Sequence, residues 1–442
     1  MQISNASRRL DPPPGPGGGV LTQTIAFHRD PLEFLRRQQE ELGDVFQIRL
    51  LTARPTFVVT EPAAVESLLG ADPERAHAGQ ARRAVLPFAS DRSVFGGDAD
   101  AHRAARARIA PALAPDSIDA RREEMTAIAE RHASQWPLGR PFRLLSRLRT
   151  LCDEVFVRLV LGVRDEEIAA ELIEAIGRML RTPGNPPVTL PGRGDGLMGE
   201  LGQALFEQRQ APVAAALGRA VEARRADAGR NSEDGDEVDV LGCMVADDAE
   251  LSTEQIVDEL MSLLMAAQEP PSIALAWILD LLARQPELAE GFVADPRSAR
   301  SDAIVREVLR LRPPASGSLR RLLEPMPVEG RELPAGATVL LPTSLVHRDP
   351  RGYRDPARFK PERWLADITP SWPFFPFGGG ARRCVGEALA RAEIETVVPA
   401  VLRTLRLTPV ASEPERMVQR ATVLVPQRSL LVRAKRAAQP GA

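Results

Sequence analysis

The chain has 442 residues and a mass of 48.1 kDa, with 44% hydrophobic and 26% charged residues. That is the balance of a soluble globular protein with ample core, and at this length either several domains or one large fold. The formal net charge of −3 gives no global attraction to nucleic acid. Cys152, Cys243 and Cys384 are far apart, with no CxxC pair, which argues against a zinc site or a disulfide framework and suits a reducing cytosol. Of 57 basic residues only Lys360 and Lys435 are lysine. With so much Ala, Gly and Pro, this points to a GC-rich bacterial genome rather than to a phosphate-binding surface.

Residues 1–19 are polar and then Pro/Gly-rich, an extended lead-in to a single domain over residues 20–442. The lead-in holds no apolar signal-peptide core, and no stretch of roughly 20 apolar residues follows, so no membrane anchor and a cytoplasmic location are expected. Asp30 is placed as a helix N-cap with Pro31 at the first helical position. Val45 to Leu50 alternates with period 2, and Thr56-Phe57-Val58-Val59 is a second strand, so a small sheet is expected near the N-terminus. Residues 80–100, with Val94 and Phe95, lack periodicity and read as loop. His102 and Arg106 lie four apart in an Ala/Arg helical pattern and share a face. Taken alone they describe a solvated basic face. Residues 118–250 read as successive helices, interrupted by a Pro/Gly-rich span from Thr182 to Gly196. The acidic run Asn231 to Asp239 reads as a surface loop.

From Ser252, with Gln255 in a capping-box pattern, apolar residues keep helical spacing to about Arg284. Such a helix would be about 45–50 Å long. Its middle reads Ala266-Ala267-Gln268-Glu269-Pro270-Pro271-Ser272. Two prolines remove two backbone donors and clash with the preceding turn, so a kink or bulge is expected there. Further on, Glu307 and Arg310 stand at i, i+3 on a helix ended by Pro313-Pro314, and Pro361-Glu362-Arg363-Trp364 follows. Arg320 lies just before a period-2 stretch, Thr338 to Leu341 is a strand, and Val423–Val425 with Leu430–Arg433 read as a hairpin.

Between these comes Phe377-Gly378-Gly379-Gly380-Ala381-Arg382-Arg383-Cys384-Val385-Gly386, a Gly-rich loop running into the helical pattern of Glu387 to Glu395. Its glycines allow positive-φ turns. Loop N–H groups, the helix N-terminus and the flanking Arg382 and Arg383 are expected to favour a thiolate at Cys384, the form a haem iron takes from cysteine. The spacing F-x-x-G-x-R-x-C-x-G is met at Phe377, Gly380, Arg382, Cys384 and Gly386. It resembles the haem-thiolate signature of the cytochrome P450 family. With E-x-x-R at Glu307/Arg310 and P-E-R-W, the resemblance runs from about Pro12 to Arg433.

The resemblance implies a mainly α fold with a smaller β portion, and haem b buried between the long central helix and the Cys loop. Cys384 would be the axial iron ligand, and Phe377, Gly378 and Gly386 would shape its loop. His102, Arg106, Arg320 and Arg382 would hold the haem propionates. Glu307, Arg310 and Arg363 would form a structural cluster, and His347, in H-R-D-P, would be structural rather than a metal ligand. The pocket walls would include Val94, Phe95, the 180–200 region, Leu263, Ala266, Ala267, residues 315–319 including Ser316, Thr422 and Val423. With only 4% aromatic residues, these imply a bulky or aliphatic substrate such as a polyketide, terpenoid or peptide scaffold of secondary metabolism. Electrons would come from a ferredoxin and its reductase, docked on a basic patch of Arg103, Arg106, Arg108, Arg383 and Arg391; a monomer is expected.

One position departs from the family. The acid of its small-Gly-x-acid-Thr-Thr pattern is kept as Glu269, but the alcohol is Pro270, and Ser272 lies roughly 200° away around the axis. The proton that the alcohol helps to deliver must then come from Glu269 through water, from the substrate, or not at all. Ordinary hydroxylation and atypical oxidation (coupling, cyclisation, desaturation) both stay open. So do a peroxide-driven peroxygenase using Glu269, a non-catalytic helper, against which Cys384 argues, and a haem-based sensor, for which no output domain is present.

Overall fold

Short-range chemistry sets the helix boundaries. Asp30 accepts the Glu33 N–H at 3.1 Å and Pro31 opens the helix Pro31–Leu42. Ser252 and Gln255 close the expected capping box. The structure, a computed structural model, describes residues 12–51, 55–71, 73–86, 88–181, 197–228, 238–246, 251–365 and 372–437. Six helices position the site: α1 (Ala99–Ile109), α2 (Leu144–Val155), α3 (Thr253–Ala267), α4 (Glu269–Arg284), α5 (Ala299–Leu311) and α6 (Glu387–Thr404). α4 lies at the centre of the largest core and packs on α2, α5 and α6. α3 packs instead on the long helix Leu197–Ala228.

The expected kink is present, and the backbone keeps right-handed helical dihedrals through it. α3 ends at Ala267, Gln268 stands between with φ −82° and ψ −55°, and α4 begins at Glu269. Pro270 and Pro271 fall in the first turn of α4, where N–H groups have no acceptor within the helix and proline loses nothing.

The main sheet is mixed. Its strands are β1 (Val45–Ile48), β2 (Thr56–Val59), β3 (Ala76–His77), β4 (Gly317–Leu322) and β5 (Thr338–Pro342), in the order β1-β2-β5-β4-β3. Only β2 and β5 run parallel. The strands expected at 45–50, 56–59 and 338–341 are all present in it. Arg320 lies within β4 rather than ahead of a strand.

Three local expectations are corrected. Residues 80–100 are not all loop, because Ala78–Arg83 is helical. The C-terminal strands do not form a hairpin: Val423–Pro426 pairs with Met417–Arg420, while Leu431–Arg436 pairs with Leu405–Pro409 and Phe142–Arg143. Ser429 and Leu430 adopt left-handed φ values of 66° and 53°, which turn the chain into the other sheet, where Val432 and Ala434 are buried. Asp239 is no surface residue: it is 3% exposed and pairs with Arg224. The remaining acidic residues of that run and the span Thr182 to Gly196 lie outside the described residues. Among the described residues no helix is long and apolar enough to cross a membrane.

At Gly317 a Cβ would lie 2.6 Å from the Leu341 carbonyl oxygen and 2.9 Å from Leu340 Cδ1. Gly317→Ala is therefore expected to force β4 and β5 apart at a cost of about 1–3 kcal/mol, read as a lower denaturation midpoint with unchanged helical circular dichroism.

Candidate active site

The Cys384 loop folds on its own backbone. Gly378 N–H donates to the Phe375 carbonyl at 2.9 Å, Arg383 N–H to Gly380 at 3.1 Å and Cys384 N–H to Phe377 at 2.8 Å. Gly378 and Gly380 have φ of 70° and 59°, and a Cβ at Gly380 would lie 2.4 Å from the Leu69 carbonyl oxygen. Glycine is required there by both conformation and space. The Cys384 side chain is accessible, yet protein encloses it enough that burial raises its thiol pKa above the ordinary value. Glu387 adds to the rise, while the Gly386 N–H, Arg106 and Arg82 oppose it. The expected preference for thiolate is thus not met by the protein alone. A bound metal ion would reverse it, because coordination removes the thiol proton.

A buried cluster holds this loop. Glu307 and Arg310 are both fully buried and joined by two hydrogen bonds of 2.9 and 2.8 Å. Arg363 Nε lies 3.1 Å from each Glu307 oxygen, and the Trp364 indole N–H and the Lys360 N–H each donate to that carboxylate at 2.9 Å. Arg310 also donates to the His347 and Pro356 carbonyls at 2.8 Å. The His347 ring in turn accepts the Phe375 N–H at 3.0 Å. Burial and the neighbouring Arg310 hold His347 at about 3, so it is a neutral acceptor.

Cations gather near the loop. Arg320 is 2% exposed and has only the carbonyls of Leu68, Leu69 and Leu319 as partners. Arg382 pairs with Asp98 and also contacts the Gly97 carbonyl. Arg106 donates to the Arg383 carbonyl at 2.7 Å. His102 is 4% exposed, so this face of α1 points inward and is not the solvated face that its spacing alone describes. Arg82 joins them, donating to the Phe95 carbonyl at 3.1 Å with its guanidinium 4.3 Å from the Phe95 ring centroid. Among the described residues no carboxylate pairs with Arg82, Arg106 or Arg320. Burial, then Arg382 and Arg320, pulls Arg82 down to about 9. Burial and Arg382 pull Arg320 to about 10, and burial with Arg382, Arg106 and Arg82 holds His102 neutral at about 4. Arg82 was missed by the sequence reading because its segment has no periodicity.

At the helix kink, Ala266 and Ala267 are half-buried. The Glu269 carboxylate is bound by Arg149 of α2 at 2.6 Å. Ser272 Oγ donates back to the Glu269 carbonyl at 2.9 Å, so its hydroxyl is committed to its own helix. Val94 N–H donates to both Glu259 oxygens at 2.9 and 3.1 Å, tying the Val94–Phe95 loop to α3. Leu263 lies in the main core, 5% exposed. Ser316 N–H donates to Thr422 at 2.9 Å, and Ala315 bridges Val423, so these pocket candidates come together. Of the 180–200 region, residues 182–196 lie outside the described residues. The expected basic patch is interleaved with acids: Arg103 pairs with Asp100, Arg383 with Glu387 at 2.7 Å and Arg391 with Asp302 at 2.9 Å.

A cysteine loop braced by a buried ion cluster beside a seat of unpaired cations defines a haem-thiolate class of protein. The chain matches the family described as Cytochrome P450 over residues 11–293 and 301–433, and it belongs to that family. It is 29% identical to cytochrome P450 135B1 of Mycobacterium tuberculosis over 436 residues, covering 96% of this chain and 91% of the relative. It is 27% identical to cytochrome P450 137 of the same species, over 92% of this chain and 85% of that one. The fold matches a retinoic acid-bound cyanobacterial CYP120A1 with a TM-score of 0.80 at 24% identity, covering 97% of this chain and 100% of that chain. It matches the cytochrome P450DA heme domain with the same TM-score of 0.80 at 20% identity, covering 98% and 99%. The protein is a cytochrome P450 monooxygenase-type oxidoreductase whose cofactor is haem b.

The residues present fit that cofactor. Among the described residues Arg82, Arg106 and Arg320 lack anionic partners, Arg320 in surroundings where unpaired charge is costly, and haem b brings two carboxylates. Arg320→Leu is expected to speed haem loss to apomyoglobin by roughly 10–100-fold, the value of one charge-assisted hydrogen bond of about 1.5–3 kcal/mol. Arg82→Leu should act in the same direction. Unchanged haem retention in both variants would refute this account of the cation seat.

Proposed function

We propose that Cys384 is the axial ligand of the haem iron and that residues 20–442 form one catalytic domain oxidising a bulky, largely aliphatic secondary-metabolite scaffold with O2. Haem supplies the oxygen activation and the oxidising power, helped by electron donation from the thiolate. Phe377, Gly378 and Gly386 shape the loop that aims the sulfur. His102, Arg106, Arg320 and Arg382, with Arg82, would hold the two carboxylates. Glu307, Arg310 and Arg363 hold the loop against thermal motion. Ala266, with its small side chain, would leave room for the reacting groups, and Val94, Phe95, Leu263, Ala267, Ser316, Thr422 and Val423 would exclude water and orient the substrate. A ferredoxin with its reductase supplies electrons to a cytoplasmic monomer.

The observation that carries this reading is the enclosed Cys384 loop beside cations that lack anions. It also ranks the alternatives. A peroxide-driven enzyme needs a free carboxylate at the centre, and Glu269 is held by Arg149 at 2.6 Å. A non-catalytic helper has no need of Cys384.

Pro270 leaves no hydroxyl at the place where the family carries one, so the proton must reach the site by another route. Hydroxylation then competes with coupling, cyclisation or desaturation. The reduced, CO-bound spectrum of the purified protein is expected to show the band that gives the family its name, and Cys384→Ser should abolish it. A wild-type protein without that band would overturn the Cys384 assignment. Pro270→Thr is expected to change either product per NAD(P)H or the product distribution; no change in either would mean that ordinary hydroxylation proceeds without the alcohol.

A further inference from the structure

The loop that carries Val94 and Phe95 is held from two sides by different chemistry. On one side guanidinium groups take its carbonyls: Arg82 donates to Phe95 at 3.1 Å, Arg83 to Gly96 and Arg382 to Gly97. On the other side α3 holds it by two side chains about one turn apart. Ser262 Oγ donates to the Phe88 carbonyl at 2.9 Å, and Glu259 accepts the Val94 N–H on both oxygens at 2.9 and 3.1 Å. Glu259 is 5% exposed, and among the described residues it forms no ion pair. A buried carboxylate is ordinarily paired with a cation; this one has a neutral amide instead. Burial pushes its pKa up to about 7, against the opposing pull of the Val94 N–H and of Arg108 on α1. Among the described charges on the elements around it, Arg108 is the one that acts on Glu259. Asp258, beside it on α3, responds to Arg92 of the loop, and no described charge of the long helix Leu197–Ala228, which packs on α3, reaches it.

We propose that Glu259 is a positioning residue for the substrate loop, a latch that takes up a proton from solvent when the loop closes on α3, so that acid tightens the loop and alkali loosens it. The proposal rests on the reading of Val94 and Phe95 as pocket wall. The state of the loop decides where the carboxyl stands. With the loop closed, the group is out of water and the neutral acid is the preferred form; its carbonyl oxygen still accepts the Val94 N–H. With the loop lifted, the group meets water and returns to its ordinary value of 4.5. Below that value both states carry the proton and the latch holds at full strength. Between it and about 7 only the closed state does, so closure weakens as pH rises; above about 7 both are ionised and nothing more is lost. Phe95 follows Val94 in the chain, and its ring stacks on Phe88 at 5.8 Å and lies 4.3 Å from the Arg82 guanidinium. The latch therefore also sets the position of an aromatic wall.

The test follows the entry of n-butyl isocyanide, a neutral haem ligand, into the reduced holoenzyme by stopped flow from about pH 5 to about pH 9. In the wild-type protein the association rate is expected to rise severalfold with pH and to level off above about 7. Glu259→Gln, which keeps an acceptor for Val94 and cannot ionise, is expected to give slow entry at every pH. Glu259→Ala, which removes the acceptor, is expected to give fast entry at every pH. A wild-type rate that is flat or falls as pH rises, or a Glu259→Gln profile that still follows pH, overturns the proposal and leaves the family reading intact. If a variant takes up no haem, the wild-type protein decides. Exchange protection of the Val94 amide, taken relative to the unstructured rate at each pH, is expected to fall severalfold over the same range, and constant protection overturns the latch. That measurement does not depend on the iron ligand. A wild-type protein without the CO band therefore overturns the Cys384 assignment, and amide protection still decides the latch.

Discussion

The geometry around Cys384 depends on a carboxylate that never meets water. Taking Glu307 and Arg310 out of solvent costs several kcal/mol per ion, and their mutual attraction offsets that only if every remaining donor and lone pair is used. Here they are. Glu307 accepts from Arg310, Arg363, Lys360 and Trp364, and Arg310 spends its other donors on the His347, Pro356 and Arg358 carbonyls. The pair thereby binds segments about 50 residues apart in sequence. Through the His347 ring it reaches Phe375, and from Phe375 the loop's own hydrogen bonds run to Cys384. A partly satisfied network would be worse than an apolar core, so the cluster specifies one arrangement of the loop.

The cation seat obeys the opposite logic. Among the described residues Arg82, Arg106 and Arg320 have no counter-ion, and the nearby Asp98 is engaged by Arg382. The two carboxylates of the cofactor would supply the missing anions. Cofactor binding and folding are therefore coupled, and the apoprotein is expected to be loosest around α1, β4 and the Cys loop.

What could be seen in the sequence was what short range dictates. The Asp30 and Ser252 caps, the strands at 45–50, 56–59 and 338–341, and the spacing around Cys384 are local patterns with local causes. His347 was correctly expected to be structural, since a neutral buried ring accepting an N–H needs no metal. Arg82 was invisible because its role depends on meeting Arg320 and Arg382, more than 200 residues away in sequence. The false hairpin came from strands adjacent in sequence that belong to different sheets, a choice made by backbone turns at Ser429 and Leu430 that the letters do not announce. Asp239 looked like solvent because its partner Arg224 sits on another element. The two prolines were legible as a kink, because the loss of two N–H donors is a local effect.

Because the central helix kinks, the molecule has a seam. α4 is locked into the scaffold by α2, α5 and α6, whereas α3 is engaged with the elements around the pocket: Glu259 holds Val94, and Ser262 Oγ donates to the Phe88 carbonyl at 2.9 Å. A continuous helix would transmit any adjustment on the substrate side straight into the scaffold. At the kink the two prolines remove the hydrogen bonds that would join the halves, so α3 sides with the elements around the pocket and α4 with the scaffold.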